Sequence, residues 1–323
     1  MKLPRRKFLH LAANVAAIPA VLRYSRAQAY PSRPVQIVIG FPAGNTTDIV
    51  ARLIGQRLSE RLGQPIVIEN RPGAGTNIGT EAVVRAPPDG HTLLLATSVN
   101  AMNASLYQHL NFNFVRDITP VARIGGTAFV IVVTPSIPAK SIPEFIAYAK
   151  ANPDKITMAS AGVGSTNHIF GELFKSMTGI NMLHVPYRSA YMPDLLSGRV
   201  HVAFTTVAQS IGYIKDSRLR ALAVTTSTPW QTLPNIPTVG ASVPGYEASG
   251  WQGVGAPKNT SNEIIKKLNN EINAVLAEPN VKDRLIGAGV EPTTMSPAEF
   301  GRFIANETEK WGNVIRTANI KPE

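Results

Sequence analysis

The sequence predicts an α/β protein of two lobes, each a doubly wound, mainly parallel sheet flanked by helices. Short β-branched runs alternate with segments whose apolar residues recur every three or four positions, as strand–helix–strand units require. A strand, a glycine turn and a helix follow one another near residue 40 and again near residue 160. A length of 323 residues lets each of two lobes bury its own core.

Val35 to Ile39 is β-branched apart from Gln36 and reads as a buried strand. After "GFPAGNTTD", Ile49, Val50, Leu53, Ile54 and Leu58 form one apolar helical stripe. The free N–H groups of the first helical turn and the positive end of the dipole then point out of the sheet edge, where they favour an anion. The loop has neither the Lys of a triphosphate-binding loop nor the dinucleotide glycine pattern, and Asp48 in the first turn would repel a polyphosphate. A small, singly charged group such as a carboxylate fits better. The alternative is a well-capped connection that binds nothing.

"QPIVIEN" (64–70) is the second strand, "RPGAGTNIGTEAVVRA" turns on Gly73 and Gly75 into a helix, and "HTLLLAT" (91–97) is a third strand ending in a polar loop of Thr97, Ser98 and Asn100. "TPVARIGGTAFVIVVTP" (119–135) carries the chain into the second lobe, crossing near Gly125-Gly126. There "KITMASAG" (155–162), the turn "VGST" and the stripe Ile169, Phe170, Leu173, Phe174 and Met177 repeat the first unit, with a helix N-terminus near Ser165. "INMLHVPY" and "RVHVAFTT" are strands ending in polar loops, and "LRALAVTT" (219–226) brings the chain back. Residues 229–257, rich in Pro and Gly, read as irregular. Two helices end the chain, striped by Ile264, Ile265, Leu268, Ile272 and Leu276 and by Phe300, Phe303, Ile304, Trp311 and Ile315. The expected lobes are 30–124 with 226–323, and 125–225, with crossing strands near 122–128 and 220–226. Helix N-termini at the carboxyl ends of strands in both lobes would face each other across a cleft and grip an anion from two sides, with a hinge allowing closure.

The formal charge of +11 is concentrated at the start: Lys2, Arg5, Arg6, Lys7, Arg23 and Arg26 precede residue 30 without one acid, leaving 26 basic against 21 acidic residues beyond it. No nucleic-acid partner is expected from so ordinary a balance. Residues 1–29 read as an export signal: paired arginines, a modest apolar stretch broken by Asn14 and Pro19, and Ala27-Gln28-Ala29 before Tyr30. The Arg pair points to the twin-arginine route, against which Pro4 and His10 depart from the strongest pattern; a general secretory signal is the alternative. Cysteine is absent, so disulfides, thiolate metal sites and a Cys nucleophile are excluded. A soluble protein in a compartment outside the cytoplasm is expected.

The blocks "YPSRPVQIVIGFPAGNTTDIVAR", "VIENRPGAGTNIGTEAVVRAPPDGHTLL", "NASLY", "PAKSIPEFIAYAKANPDKITMASAGVGSTNHIFGELFKSMTGI", "HVPYR", "LPNIPTVGASVPGYEASGWQGVGAPKNT" and "SPAEFGRFIANETEKWGNVI" run through nearly the whole mature sequence. In these blocks the chain resembles the substrate-binding proteins of tripartite tricarboxylate transporters, the Bug-type periplasmic receptors. The resemblance implies a two-lobed periplasmic binding protein fold of the second type. It also implies a small organic carboxylate held by backbone N–H groups and waters at loops Phe41–Asp48 and Gly162–His168, membrane permease subunits as partners, a monomer, no cofactor and no catalysis. Where the family has Gly-Gly, this chain has Gly44-Asn45; after "VPYR" the segment Ser189-Ala190-Tyr191-Met192-Pro193 is shorter than in the family.

The candidate ligand-binding residues are Phe41, Ala43, Gly44, Asn45, Thr46, Asp48, Ser98, Gly162, Gly164, Ser165, Thr166, His168, Arg188 and Thr205. Asp48 and Ser165 can equally cap their helices. His168 and Glu172 lie four apart on one helix face, but no third ligand accompanies them, so no metal is expected. A ligand sensor feeding a signalling partner shares this fold and is the alternative to transport. An exported enzyme is a weaker one, since G-x-S-x-G, H-E-x-x-H and redox-cofactor fingerprints are absent.

Overall fold

The computed structural model describes residues 30–107, 109–187 and 190–321. The expected export signal and Arg188 lie outside the described residues.

The first lobe begins with β1 (Val35–Ile39), α1 (Thr46–Leu62), β2 (Ile66–Asn70), α2 (Asn77–Val84), β3 (Thr92–Thr97), α3 (Ser98–Leu106), α4 (Phe114–Asp117) and β4 (Ile118–Thr127). The second holds β5 (Phe129–Val133), α5 (Ile142–Ala151), β6 (Thr157–Ser160), α6 (Thr166–Thr178), β7 (Leu183–Pro186), α7 (Met192–Ser197), β8 (Val202–Thr206), α8 (Val207–Lys215) and β9 (Arg220–Val224). The chain then supplies β10 (Gly250–Pro257), α9 (Asn262–Ala277), α10 (Pro279–Gly287), β11 (Val290–Pro292) and α11 (Pro297–Thr317).

The six-stranded first sheet has the order β11-β4-β10-β3-β1-β2, and the five-stranded second sheet β7-β6-β8-β5-β9. Each contains a parallel trio, β3-β1-β2 and β7-β6-β8, so the loops after these strands emerge on one edge. The antiparallel members include β5, which follows the outward crossing, and β10, which follows the return. The single strand expected over 119–135 is two strands: Thr127 pairs with β10 in one sheet and Phe129 with β8 in the other.

Three expectations need correction. Residues 250–257, read as irregular, form β10, which is buried throughout and lies between β3 and β4. Its glycines hid it, because they lower strand propensity. They are there because neighbours fill the space: a Cβ on Gly253 would fall 2.3 Å from the Phe300 ring, and one on Gly255 2.4 Å from Ile118. The polar loops expected after β3 and β8 are helix starts, with Thr97 capping α3 and Thr206 capping α8. Three helices, not two, close the chain, because Pro279 at the first turn opens α10 directly after α9.

Helix α11 ties the lobes together. Phe300 and Ile304 pack beside Trp251 in a first-lobe cluster, whereas Trp311 and Ile315 join the core of the second sheet, where the Trp311 ring stacks on Phe170 at 4.9 Å. Met102 and Leu106 of α3 enter that same second-lobe core.

Candidate functional site

The loop between β1 and α1 is fixed by its own polar groups. Asn45 is the cap, its side chain accepting the Asp48 N–H at 2.9 Å, and Asp48 reaches back to accept the N–H of Gly44 at 2.9 Å. Gly44 has φ +87°, a conformation natural only to glycine. The loop between β6 and α6 repeats the device with different chemistry. Ser165 caps α6, and His168 Nδ1 accepts the N–H of Gly164 at 3.1 Å, with Gly164 at φ +75°. In each loop the third helical residue secures the residue before the cap. The N–H groups left for a ligand are those of the first two helical residues, Thr46 and Thr47 on one side and Thr166 and Asn167 on the other.

These roles account for Asp48 and His168. Asp48 is buried and accepts hydrogen bonds from Arg52 at 2.9 and 3.0 Å and from the Asn70 amide at 3.0 Å. The Arg52 guanidinium foremost, aided by the Gly44 N–H and Asn70 and opposed by burial, lowers its pKa to about 2. Its charge is therefore neutralised within the loop. Since His168 Nδ1 is an acceptor, its proton sits on Nε2, which faces Glu172 at 3.5 Å, and its ring stacks on His184 at 3.7 Å. Burial foremost pushes the His184 pKa down to about 4.

Between the lobes lies a cleft of two compartments, about 430 and 390 Å3, with Phe41, Val99 and Thr166 on the walls of both. The larger is ringed by the starts of four helices: Asn45–Thr47 of α1, Thr97–Val99 of α3, Thr166 of α6, and Thr206 with Gln209 of α8. The crossing strands close its floor with Thr127, Phe129 and Gly250–Gln252. The smaller is more apolar, walled by Pro42, Pro72, Val99, Leu106, Tyr107 and Val163 beside Gly164 and Ser165. No Asp, Glu, Lys, Arg or His is among the described residues on either wall. An anion here would be held by N–H dipoles and hydroxyls, each helix N-terminus contributing about 0.3–1 kcal/mol and up to about 2 where partly buried.

The structure thus brings Phe41, Gly44, Asn45, Thr46, Ser98, Gly164, Ser165 and Thr166 onto one cleft. It turns others away. Ala43 is exposed off the walls, Gly162 uses its carbonyl to accept the Ser160 and Ser165 hydroxyls, and Asp48 and His168 sit behind their loops. Thr205 is fully buried, donating to Gln209 Oε1 and accepting from Tyr191 Oη, because strand alternation gives the cleft its neighbour Thr206. Sequence reasoning missed Thr206, Gln209 and Gln252; the TT at the end of an apolar strand signalled the first, while nothing local marked Gln252. Among the described residues no group of three His, Cys, Asp or Glu could hold a metal, and no helix is long and apolar enough to cross a membrane.

Residues 50–320 match the family model described as the tripartite tricarboxylate transporter family receptor. Protein BugT of Bordetella pertussis is 35% identical over 300 residues, covering 91% of this chain and 92% of its own. Among solved structures, R. palustris Rpa4515 with adipate shares 37% identity at a TM-score of 0.80, covering 91% of this chain and 100% of its own. MatC from Rhodopseudomonas palustris with bound malate shares 28% at a TM-score of 0.76, covering 88% and 100%. Together with the paired mixed sheets and the cleft between them, these likenesses give the chain the two-lobed periplasmic binding protein fold of the second type. It belongs to the tripartite tricarboxylate transporter receptor family, among the Bug-type solute-binding proteins.

Proposed function

We propose that this protein captures a small organic carboxylate in the interlobe cleft, in the periplasm, and delivers it to the membrane permease subunits of a tripartite tricarboxylate-type transporter. The observation that carries the reading is the larger compartment, where four helix starts and their Thr and Ser hydroxyls converge without an opposing acidic side chain among the described wall residues. Such a site favours a compact anion and provides no acid, base or nucleophile pair, so it supports binding without turnover. The adipate and malate held by two related structures are of the same chemical class.

The test is calorimetric titration of the exported protein with mono-, di- and tricarboxylates and aromatic acids, alongside neutral amides of the same skeletons. A carboxylate should bind and its amide should not. Folded protein that responds to none of the acids would sink the reading.

A further inference from the structure

The four helices that start on the larger compartment each carry a polar third residue: Asp48 of α1, Asn100 of α3, His168 of α6 and Gln209 of α8. The first three are buried and accept a backbone N–H at their own helix starts, from Gly44, Thr97 and Gly164. Gln209 differs: it is exposed and stands on the cleft wall. Its carbonyl oxygen Oε1 is already taken, by the Thr205 hydroxyl at 3.2 Å. The direction of that bond is fixed from the far end. The Asn167 amide lies against the backbone carbonyl of Phe204, which can only accept, so its nitrogen Nδ2 faces that oxygen. The same Nδ2 donates to Tyr191 Oη at 3.3 Å, which leaves the single Tyr191 proton for Thr205 Oγ1 at 3.0 Å. Burial foremost raises the Tyr191 pKa, so that proton stays in place. Thr205 is fully buried, and its own proton goes to Gln209. A reversed Gln209 amide would strand that proton, at the desolvation cost of a lost partner. The N–H2 of Gln209 is therefore the end left for the cleft.

We propose that Gln209 is a ligand-contacting residue that donates an amide N–H to the bound carboxylate from the second lobe, with Asn167, Tyr191 and Thr205 as its positioning residues. This rests on the reading of the cleft as a carboxylate site. The Thr and Ser hydroxyls on the same wall can donate or accept, whereas an amide nitrogen that cannot turn only donates, so it favours an acceptor group. An N–H to a carboxylate is charge-assisted and stronger than a bond to a neutral group. Because the relay sets the direction of the amide before a ligand arrives, less side-chain freedom is lost on binding.

The experiment is calorimetry on the full mature protein, with the tightest binder among succinate, malate, adipate, citrate and benzoate as the probe. Gln209→Met removes the donor and should weaken binding about tenfold. Gln209→Glu keeps an acceptor for Thr205 but turns a negative charge on the ligand, so it should weaken binding further. Thr205→Val cuts the relay and should cost about threefold in the wild-type background and nothing more beside Gln209→Met, while Thr205→Ser restores the hydroxyl and the affinity. A loss below about threefold in Gln209→Met overturns the contact. An equal loss from Thr205→Val in both backgrounds overturns the positioning role. If Thr205→Val fails to fold, Tyr191→Phe, which cuts the relay one step earlier, takes its place in the same comparison. A wild type that binds none of the acids fails the underlying reading instead, a distinct outcome.

Discussion

Asp48→Asn separates an anchoring residue from a ligand-contacting one. The substitution keeps shape but removes the charge that accepts two bonds from Arg52, and it turns an amide N–H2 toward donors that need an acceptor. A hydrogen bond to a charged group contributes about 1.5–3 kcal/mol. Because the Arg52 side chain is 53% exposed and Asp48 only 4%, solvent screening brings the loss to about 1–2 kcal/mol. For a chain of this size that is a fall in Tm of about 2–6 °C at pH 7, read by circular dichroism. Acid supplies the second readout. Asp48 titrates near pH 2 when folded and near 4 when unfolded, so its contribution is complete above pH 4 and disappears as pH falls through about 2; the gap between wild type and variant should close over that interval. A variant that melts with the wild type at pH 7, or a gap unchanged between pH 4 and 2, would refute the anchoring role. Lost carboxylate binding with unchanged Tm would instead place Asp48 on the ligand.

Gly253→Ala forces a methyl to within 2.3 Å of the Phe300 ring and 2.8 Å of the Ala122 carbonyl. Overpacking of this kind costs about 1–3 kcal/mol, so thermal unfolding should shift down by several degrees; a Tm within about 1 °C of wild type would show that β10 has slack. His184 is held neutral down to about pH 4, whereas the unfolded chain protonates near 6.5, so its contribution to stability falls as pH drops from 6.5 to 4. His184→Gln should flatten that part of the Tm–pH curve, and equal slopes in the two proteins would count against the buried-pair geometry.

The two turn glycines, the caps and the apolar stripes are local signals, and they placed both cleft-facing loops because a helix N-terminus exposes its N–H groups wherever it occurs. Asp48 and His168 are candidates in the sequence because each falls at the end of a strand-to-helix loop. Their true partners, Gly44 with Arg52 and Gly164 with His184, depend on which way each side chain turns. Thr205 and Thr206 are adjacent and chemically alike, and only the pleat of β8 decides which one meets the cleft.

What the sequence determined by itself was the alternation of strands and helices, the duplicated strand–turn–helix unit and the family. These are written in residue spacing and need no distant neighbour. Tertiary structure alone decided that the glycine-rich stretch from Gly250 is a buried central strand, and that it carries Gln252 to the cleft floor. A strand without side chains at Gly253 and Gly255 is stable only because Phe300 and Ile118, 47 and 137 residues away in sequence, occupy the space those side chains would have needed.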